Sequence, residues 1–80
     1  MKKLISILGS TGSVGLSTLK IIDKKRNNFK FFLLSANKNF KLISRQIRKY
    51  KPKYFIITDK HIFKTAKKKF NTSKTLLLND

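Results

Sequence analysis

Residues 2–15 read Lys2-Lys3-Leu4-Ile5-Ser6-Ile7-Leu8-Gly9-Ser10-Thr11-Gly12-Ser13-Val14-Gly15, a short apolar run entering a glycine-spaced turn that a helical segment follows at once. Strand, turn and helix in that order, with a glycine at every third position of the turn, make the pattern of a phosphate-binding βα unit. Glycine lets the backbone turn tightly, approach a pyrophosphate closely and pack the new helix on the strand. The helix N-terminus adds unpaired N–H groups. The spacing Gly-x-x-Gly-x-x-Gly departs from the commoner Gly-x-Gly-x-x-Gly, so the position of the turn, between the first strand and the first helix, carries as much weight as its glycines. Val14-Gly15-Leu16 stands where a triphosphate-binding loop would end in Gly-Lys-Ser/Thr, which disfavours ATP hydrolysis and phosphoryl transfer. The expected ligand is a dinucleotide.

Outward from this turn, the apolar periodicity alternates between strand and helix. Lys3 to Leu8 reads as the first strand, and Val14 to about Lys25 as a helix with Leu19 and Ile22 toward the sheet, broken at Asn27-Asn28. Phe29 to Ser35 is a second strand, so nearly continuous in its hydrophobicity that it suits a parallel strand covered on both faces. Asn39 is a good N-cap for a helix with Phe40, Ile43, Ile47 and Tyr50 on one stripe, and Pro52 follows its end. Tyr54 to Thr58 is a third strand. Asp59 caps a third helix with Ile62, Phe63, Ala66 and Phe70 inward, and Thr75 to Leu78 is a fourth strand. The order βαβαβαβ with short connections predicts a parallel sheet with right-handed crossovers, half of a Rossmann-like, doubly wound α/β fold. Asp80 falls just beyond a strand, where such a fold continues into another loop and helix, so the chain is expected to be the front end of something larger.

Eighty residues suffice for one modest core and not for a cofactor domain plus a catalytic domain. The absence of cysteine removes disulfides, thiolate metal sites and a cysteine nucleophile, and suits a reducing cytoplasm. No apolar run approaches the roughly 20 residues of a membrane span, and the start lacks the long apolar region of a secretory signal. The formal charge of +17, with a pI near 10.7, would ordinarily suggest nucleic acid or an anionic surface. Plentiful Lys, Asn, Ile and Phe beside scarce Ala, Gly and Pro are instead what an AT-rich genome produces, and Lys24-Lys25-Arg26 and Lys67-Lys68-Lys69 then read as solvated helix-end charges.

The end of the second strand discriminates between nicotinamide cofactors, because an acid there accepts from the ribose 2′-hydroxyl of NAD and repels the 2′-phosphate of NADP. Here the sequence is Leu34-Ser35-Ala36-Asn37-Lys38-Asn39, with no acid. One hydroxyl, two amides and a lysine make a donor-rich rim that suits a phosphate, with Lys38 as the point charge. Asn39 serves that rim, the helix cap, or both.

These stretches, together with Ser17-Thr18-Leu19 and Lys51-Pro52-Lys53-Tyr54, resemble the N-terminus of the 1-deoxy-D-xylulose 5-phosphate reductoisomerase family nearly from end to end. The resemblance implies that residues 1–80 are the N-terminal part of an NADPH-binding domain, the catalytic and C-terminal domains being absent from this chain. Thr11, Gly12, Ser13 and Val14 would wrap the pyrophosphate and adjoining groups, and Asn37, Lys38 and Asn39 would hold the 2′-phosphate. That family usually has Gly-Lys-Asn in the second triplet, so Asn37 is a departure; asparagine tolerates a left-handed backbone better than most residues. The implied reaction rearranges a phosphorylated sugar, 1-deoxy-D-xylulose 5-phosphate, and reduces it with NADPH to 2-C-methyl-D-erythritol 4-phosphate for isoprenoid precursors. The resemblance further implies a cytoplasmic homodimer that uses magnesium or manganese, held by carboxylates from a later part of the chain.

Within these residues no catalytic or metal-binding group is expected. Asp23 and Asp59 read as surface or capping residues, and His61 as a surface residue beside a cap. Two rivals remain at this point. One is the cofactor domain of another NADPH-dependent oxidoreductase, such as a semialdehyde-dehydrogenase-like enzyme. The other is a small basic module binding RNA or DNA, which would need exposed aromatics beside the lysines, whereas Phe31, Phe32, Phe40, Phe63 and Phe70 fall on predicted buried positions.

Overall fold

The computed structural model describes residues 2–79. Strand β1 (Lys3–Ile7) leads through the glycine turn into helix α1 (Ser13–Asp23), and a short 3-10 turn at Arg26–Asn28 precedes β2 (Phe29–Ala36). Helix α2 (Phe40–Tyr50), β3 (Tyr54–Ile57), α3 (Lys60–Lys69) and β4 (Leu76–Leu78) complete the predicted βαβαβαβ order. All pairings are parallel, and the strands lie side by side in chain order, β1-β2-β3-β4.

Register puts the core in one row. Ile7 lies opposite Leu34, Leu34 opposite Phe55 and Phe55 opposite Leu77, and all four are buried on one face. Leu19 from α1, Ile43 and Ile47 from α2 and Ala66 from α3 cover that row, with Ile22, Phe40, Tyr50, Ile62, Phe63 and Phe70 packed around it. These are the predicted inward stripes. Burying a side chain such as Phe55 or Leu34 completely is worth about 1.5–3 kcal/mol, and both are fully buried here.

A bulge shapes β2. Ile5 pairs with Phe31, but the next residue, Ser6, pairs with Leu33, so β2 carries one extra residue there. In a strict period of two, Phe31 and Leu34 would point to opposite faces. The extra residue lets both enter the core, and it turns Phe32 to the other face, where its ring meets Tyr54 edge-on at 5.3 Å between centroids.

That other face differs from the expectation of cover on both sides. Right-handed crossovers between strands taken in sequential order place α1, α2 and α3 on the same side of the sheet. The described residues are thus one half of a doubly wound fold, and its second face carries Leu4, Phe32, Tyr54, Ile56, Leu76 and Leu78. Leu4 is 64% exposed and Leu76 55% exposed. The unbroken hydrophobicity of β2 therefore reflects the bulge and an apolar second face, not a second layer of helices among the described residues.

Helix ends follow their local chemistry. The side chains of Asn39 and Asp59 accept from the N–H groups of Leu42 and Ile62, as N-caps do. Lys67, Lys68 and Lys69 occupy the last turn of α3, where positive charge favours the helix dipole. Helix α2 closes at Lys51, which adopts a left-handed backbone (φ 47°, ψ 54°) before Pro52. That conformation costs a non-glycine residue about 1–2 kcal/mol. Lys51→Gly is expected to stabilise the chain by about 0.5–1 kcal/mol after the entropy glycine adds to the unfolded state. Thermal unfolding should then show a midpoint a few degrees higher; a lower midpoint would mean that the lysine side chain contributes more than the strain costs.

Candidate functional site

The turn after β1 is built inward from every side. Gly9 adopts φ +71°, a conformation that only glycine takes easily, and its N–H donates to Ser35 Oγ at 3.0 Å. The N–H of Ser10 donates to the Ser35 carbonyl at 2.7 Å, and that of Gly12 to the Gly9 carbonyl at 3.1 Å. Gly15 sits where α1 crosses this turn: a Cβ there would lie 2.2 Å from the Gly9 carbonyl oxygen and 2.8 Å from Ser10 Cα. Gly12 is different. A Cβ on it would meet nothing nearer than the Gly9 oxygen at 3.5 Å, which is ordinary contact. The three glycines thus serve distinct ends: Gly9 the tight turn, Gly15 the close packing of α1, and Gly12 an open outer surface.

That surface is shaped for an anion. Gly12 is the N-cap of α1 and has no side chain to cap it, and the first turn of α1 contains no acid. The N–H groups at the start of the helix therefore face outward without a side-chain acceptor. Thr11 is half-buried beside them, while Gly12, Ser13 and Val14 are exposed, Val14 to 79%. Large exposed apolar side chains at the mouth of such a turn suit contact with a ligand better than with water.

The second cluster, Asn37, Lys38 and Asn39, lies exposed in the loop between β2 and α2. Both clusters occupy the carboxyl end of the parallel sheet, and Ser35, one turn of chain before Asn37, ties them together through Gly9 and Ser10. This is where open α/β sheets bind ligands. The Ser35 hydroxyl accepts the Gly9 N–H and braces the turn.

Among the described residues, only Lys51 and Gly9 have left-handed φ values, so Asn37 makes no use of the left-handed backbone that asparagine tolerates. It is held from the neighbouring loop instead. Thr58 Oγ1 donates to Asn37 Oδ1 at 2.9 Å, and the Asp59 N–H donates to the Asn37 carbonyl at 3.2 Å. Asn39 uses Oδ1 to cap α2, which leaves its NH2 group on the outer side of the loop.

Elsewhere the polar groups are structural. Asp23 pairs with Lys49 at 3.2 Å and with Arg26 at 3.8 Å, and Arg26 donates to the Lys49 carbonyl, so α1 is clasped to the last turn of α2. The hydrogen bond to Asp23, then the Tyr50 phenol and the Asp23 charge, raise the Lys49 ammonium above the ordinary lysine range. A groove of about 430 Å³ runs between α1 and α2, lined by Leu16, Lys20, Arg45 and Lys49 among others; it includes none of Thr11–Val14 or Asn37–Asn39. No three His, Asp or Glu side chains converge among the described residues. No helix there is long and apolar enough to cross a membrane. Phe31 is buried, and Phe40, Phe63 and Phe70 pack on the core, with Lys69, Lys67 and Arg48 lying over the rings. A basic surface of this kind offers few free aromatic faces for stacking bases.

The sequence profile of 1-deoxy-D-xylulose 5-phosphate reductoisomerase matches residues 5–79. The chain belongs to that family. A reductoisomerase from Pelagibacter ubique is 42% identical over 80 residues, which is all of this chain and 20% of the relative. One from Porphyromonas gingivalis is 49% identical over 59 residues, 74% of this chain and 15% of the relative. Among solved structures, the Zymomonas mobilis reductoisomerase in complex with NADPH superposes with a TM-score of 0.90 at 25% identity, over 99% of this chain and 21% of that one. A reductoisomerase in complex with NADPH, fosmidomycin and magnesium superposes with a TM-score of 0.89 over all of this chain and 20% of that one; at 23% identity this likeness shows the fold. The chain thus spans about a fifth of the length of the reductoisomerases it matches.

Two residues that brace the turn were not singled out by their sequence. Ser10 is one of the non-glycine positions inside the glycine pattern, and Gln46 sits in the middle of α2. Their contact joins residues 36 apart. The one available signal was a glutamine falling on the apolar stripe of α2, between Ile43 and Ile47.

Proposed function

We propose that residues 1–80 form the N-terminal part of the NADPH-binding domain of a 1-deoxy-D-xylulose 5-phosphate reductoisomerase. The observation that carries this reading is the uncapped, acid-free N-terminus of α1, at the same end of the sheet as the loop that holds Lys38. In it, Thr11, Gly12, Ser13 and Val14 wrap the pyrophosphate, with the Ser13 and Val14 N–H groups donating to its oxygens and glycine at position 12 admitting it closely. Asn37, Lys38 and Asn39 hold the 2′-phosphate: Lys38 supplies charge, the Asn39 NH2 donates, and Thr58 keeps Asn37 in place. These groups fit the cofactor: Lys38 and the amide NH2 of Asn39 supply donors, the first turn of α1 holds no acid, and Asp59, bonded to the Asn37 carbonyl through its N–H, uses its carboxylate to cap α3.

Bound NADPH would supply the hydride that reduces the rearranged substrate, a phosphorylated sugar. The part of this chain is to bind and orient that cofactor, not to move protons. The divalent cation, magnesium or manganese, belongs to carboxylates outside these residues. The same reading makes the protein a cytoplasmic homodimer feeding isoprenoid precursor synthesis.

Titration of the purified chain with NADPH and with NADH, followed by calorimetry at moderate salt, tests the reading. A charged hydrogen bond of about 1.5–3 kcal/mol to the extra phosphate predicts at least tenfold tighter binding of NADPH. Equal affinity for the two cofactors in a chain with a helical and β-type circular dichroism spectrum would refute the assignment of the second triplet.

A further inference from the structure

We propose that Gln46 is a positioning residue for the phosphate-cradling turn, fixing Ser10 from α2 so that the outward N–H groups of the turn hold one arrangement. This rests on the cofactor-binding reading above, and adds to it a residue that touches no cofactor.

Ser10 is fully buried and Gln46 only 2% exposed. The Ser10 hydroxyl donates to Gln46 Oε1 at 2.6 Å, and Gln46 Nε2 donates to the Ser10 carbonyl at 2.9 Å. A carbonyl can only accept, so the orientation of the amide is set by this pair of bonds. The N–H of Ser10 is already engaged by the Ser35 carbonyl. Every polar group of Ser10 is therefore satisfied inward, by α2 and β2, while Gly15 closes over it from α1. Of the residues that follow, Gly12 bonds back to the Gly9 carbonyl, and the N–H groups of Ser13 and Val14 at the start of α1 are left without a side-chain acceptor.

The placement is costly without such a role. Gln46 falls between Ile43 and Ile47 on the buried face of α2, where an aliphatic side chain would avoid burying an amide. Two hydrogen bonds to one residue of a glycine-rich turn do what a hydrophobe cannot: they specify direction as well as proximity. Glycine loops lose much conformational entropy on ordering, so fixing the turn in the free protein removes that loss from the binding step. Gln46 also couples the two proposed phosphate sites. The helix that carries it begins directly after Asn37-Lys38-Asn39, so the clamp sets the distance from that loop to the α1 N-terminus.

The test is Gln46→Leu, which keeps the size and burial and removes both bonds, read by amide hydrogen exchange and by NADPH titration. The proposal expects exchange at the hydrogen-bonded turn amides Gly9, Ser10 and Gly12 to accelerate at least tenfold while β3, α3 and β4 keep their protection. NADPH binding should weaken by about tenfold, the loss of one to two net hydrogen bonds. If Gln46→Leu leaves no folded protein, Ser10→Ala, which deletes only the hydroxyl, is expected to produce the same local acceleration. In the double variant the effects should not add, because both act through one contact. Turn amides that exchange as in the unsubstituted chain, in either folded variant, overturn the proposal. Accelerated turn exchange in a chain that never binds NADPH would uphold the positioning role and refute the cofactor reading instead.

Discussion

Gly15→Ala is expected to cost about 3 kcal/mol or more, beyond the usual range for one added methyl in a packed region. In a helix interior this substitution ordinarily stabilises by roughly 0.5–1 kcal/mol, because alanine loses less backbone entropy than glycine. Here the sign reverses. The new Cβ would stand 2.2 Å from the Gly9 carbonyl oxygen, and the atoms in its way are backbone, not the yielding end of a side chain. Gly9 and Ser10 cannot retreat, because Ser35 and Gln46 hold them from two other elements. Relief requires α1 to lift from β1, which uncovers Leu19. For a domain of this size the midpoint of thermal unfolding should fall by roughly 10–20 °C. Gly12→Ala is the control: its Cβ has room, its φ of −78° suits any residue, and stability should change by less than about 1 kcal/mol. Similar losses in both variants would show that the packing of α1 on the turn is looser than the geometry states.

The second large effect concerns cofactor choice. Lys38→Glu replaces the one cation of the second triplet by an anion, and NADPH affinity should fall between about ten- and a hundredfold, as expected for losing a charged hydrogen bond and adding repulsion. NADH, which has no 2′-phosphate, should be affected less than about twofold. The high positive charge of the chain complicates any anion-binding measurement, since +17 attracts anions generally. Lys67→Glu on α3 makes the same change of net charge away from both triplets and isolates that general term. Calorimetric titration of both variants against both cofactors separates the two effects. Parallel losses in Lys38→Glu and Lys67→Glu would assign the effect to net charge and sink the local role of Lys38.

Much of this architecture could be read from residue patterns because the relevant forces are local. The caps at Asn39 and Asp59 act within one helical turn, and the stripes of α2 and α3 repeat at the helical period. The glycine spacing likewise encodes a backbone property, the left-handed φ of Gly9. What escaped was set by contacts between distant segments. The β2 bulge exists only relative to β1, so Phe29 to Ser35 read as one nearly continuous apolar strand. The brace on Asn37, a hydroxyl from the loop after β3, likewise comes from a distant segment.

Residues 3–15 by themselves determined that this chain begins with a strand, a tight turn and a helix whose start is open to an anion, because glycine conformation and helix polarity are properties of the chain's immediate surroundings. The tertiary structure alone decided which atoms hold that turn still. Ser35 and Gln46 reach it from elements 20 and more residues away, and hydrogen bonds of that range depend on the register of the sheet and the seating of α2, neither of which any local pattern carries.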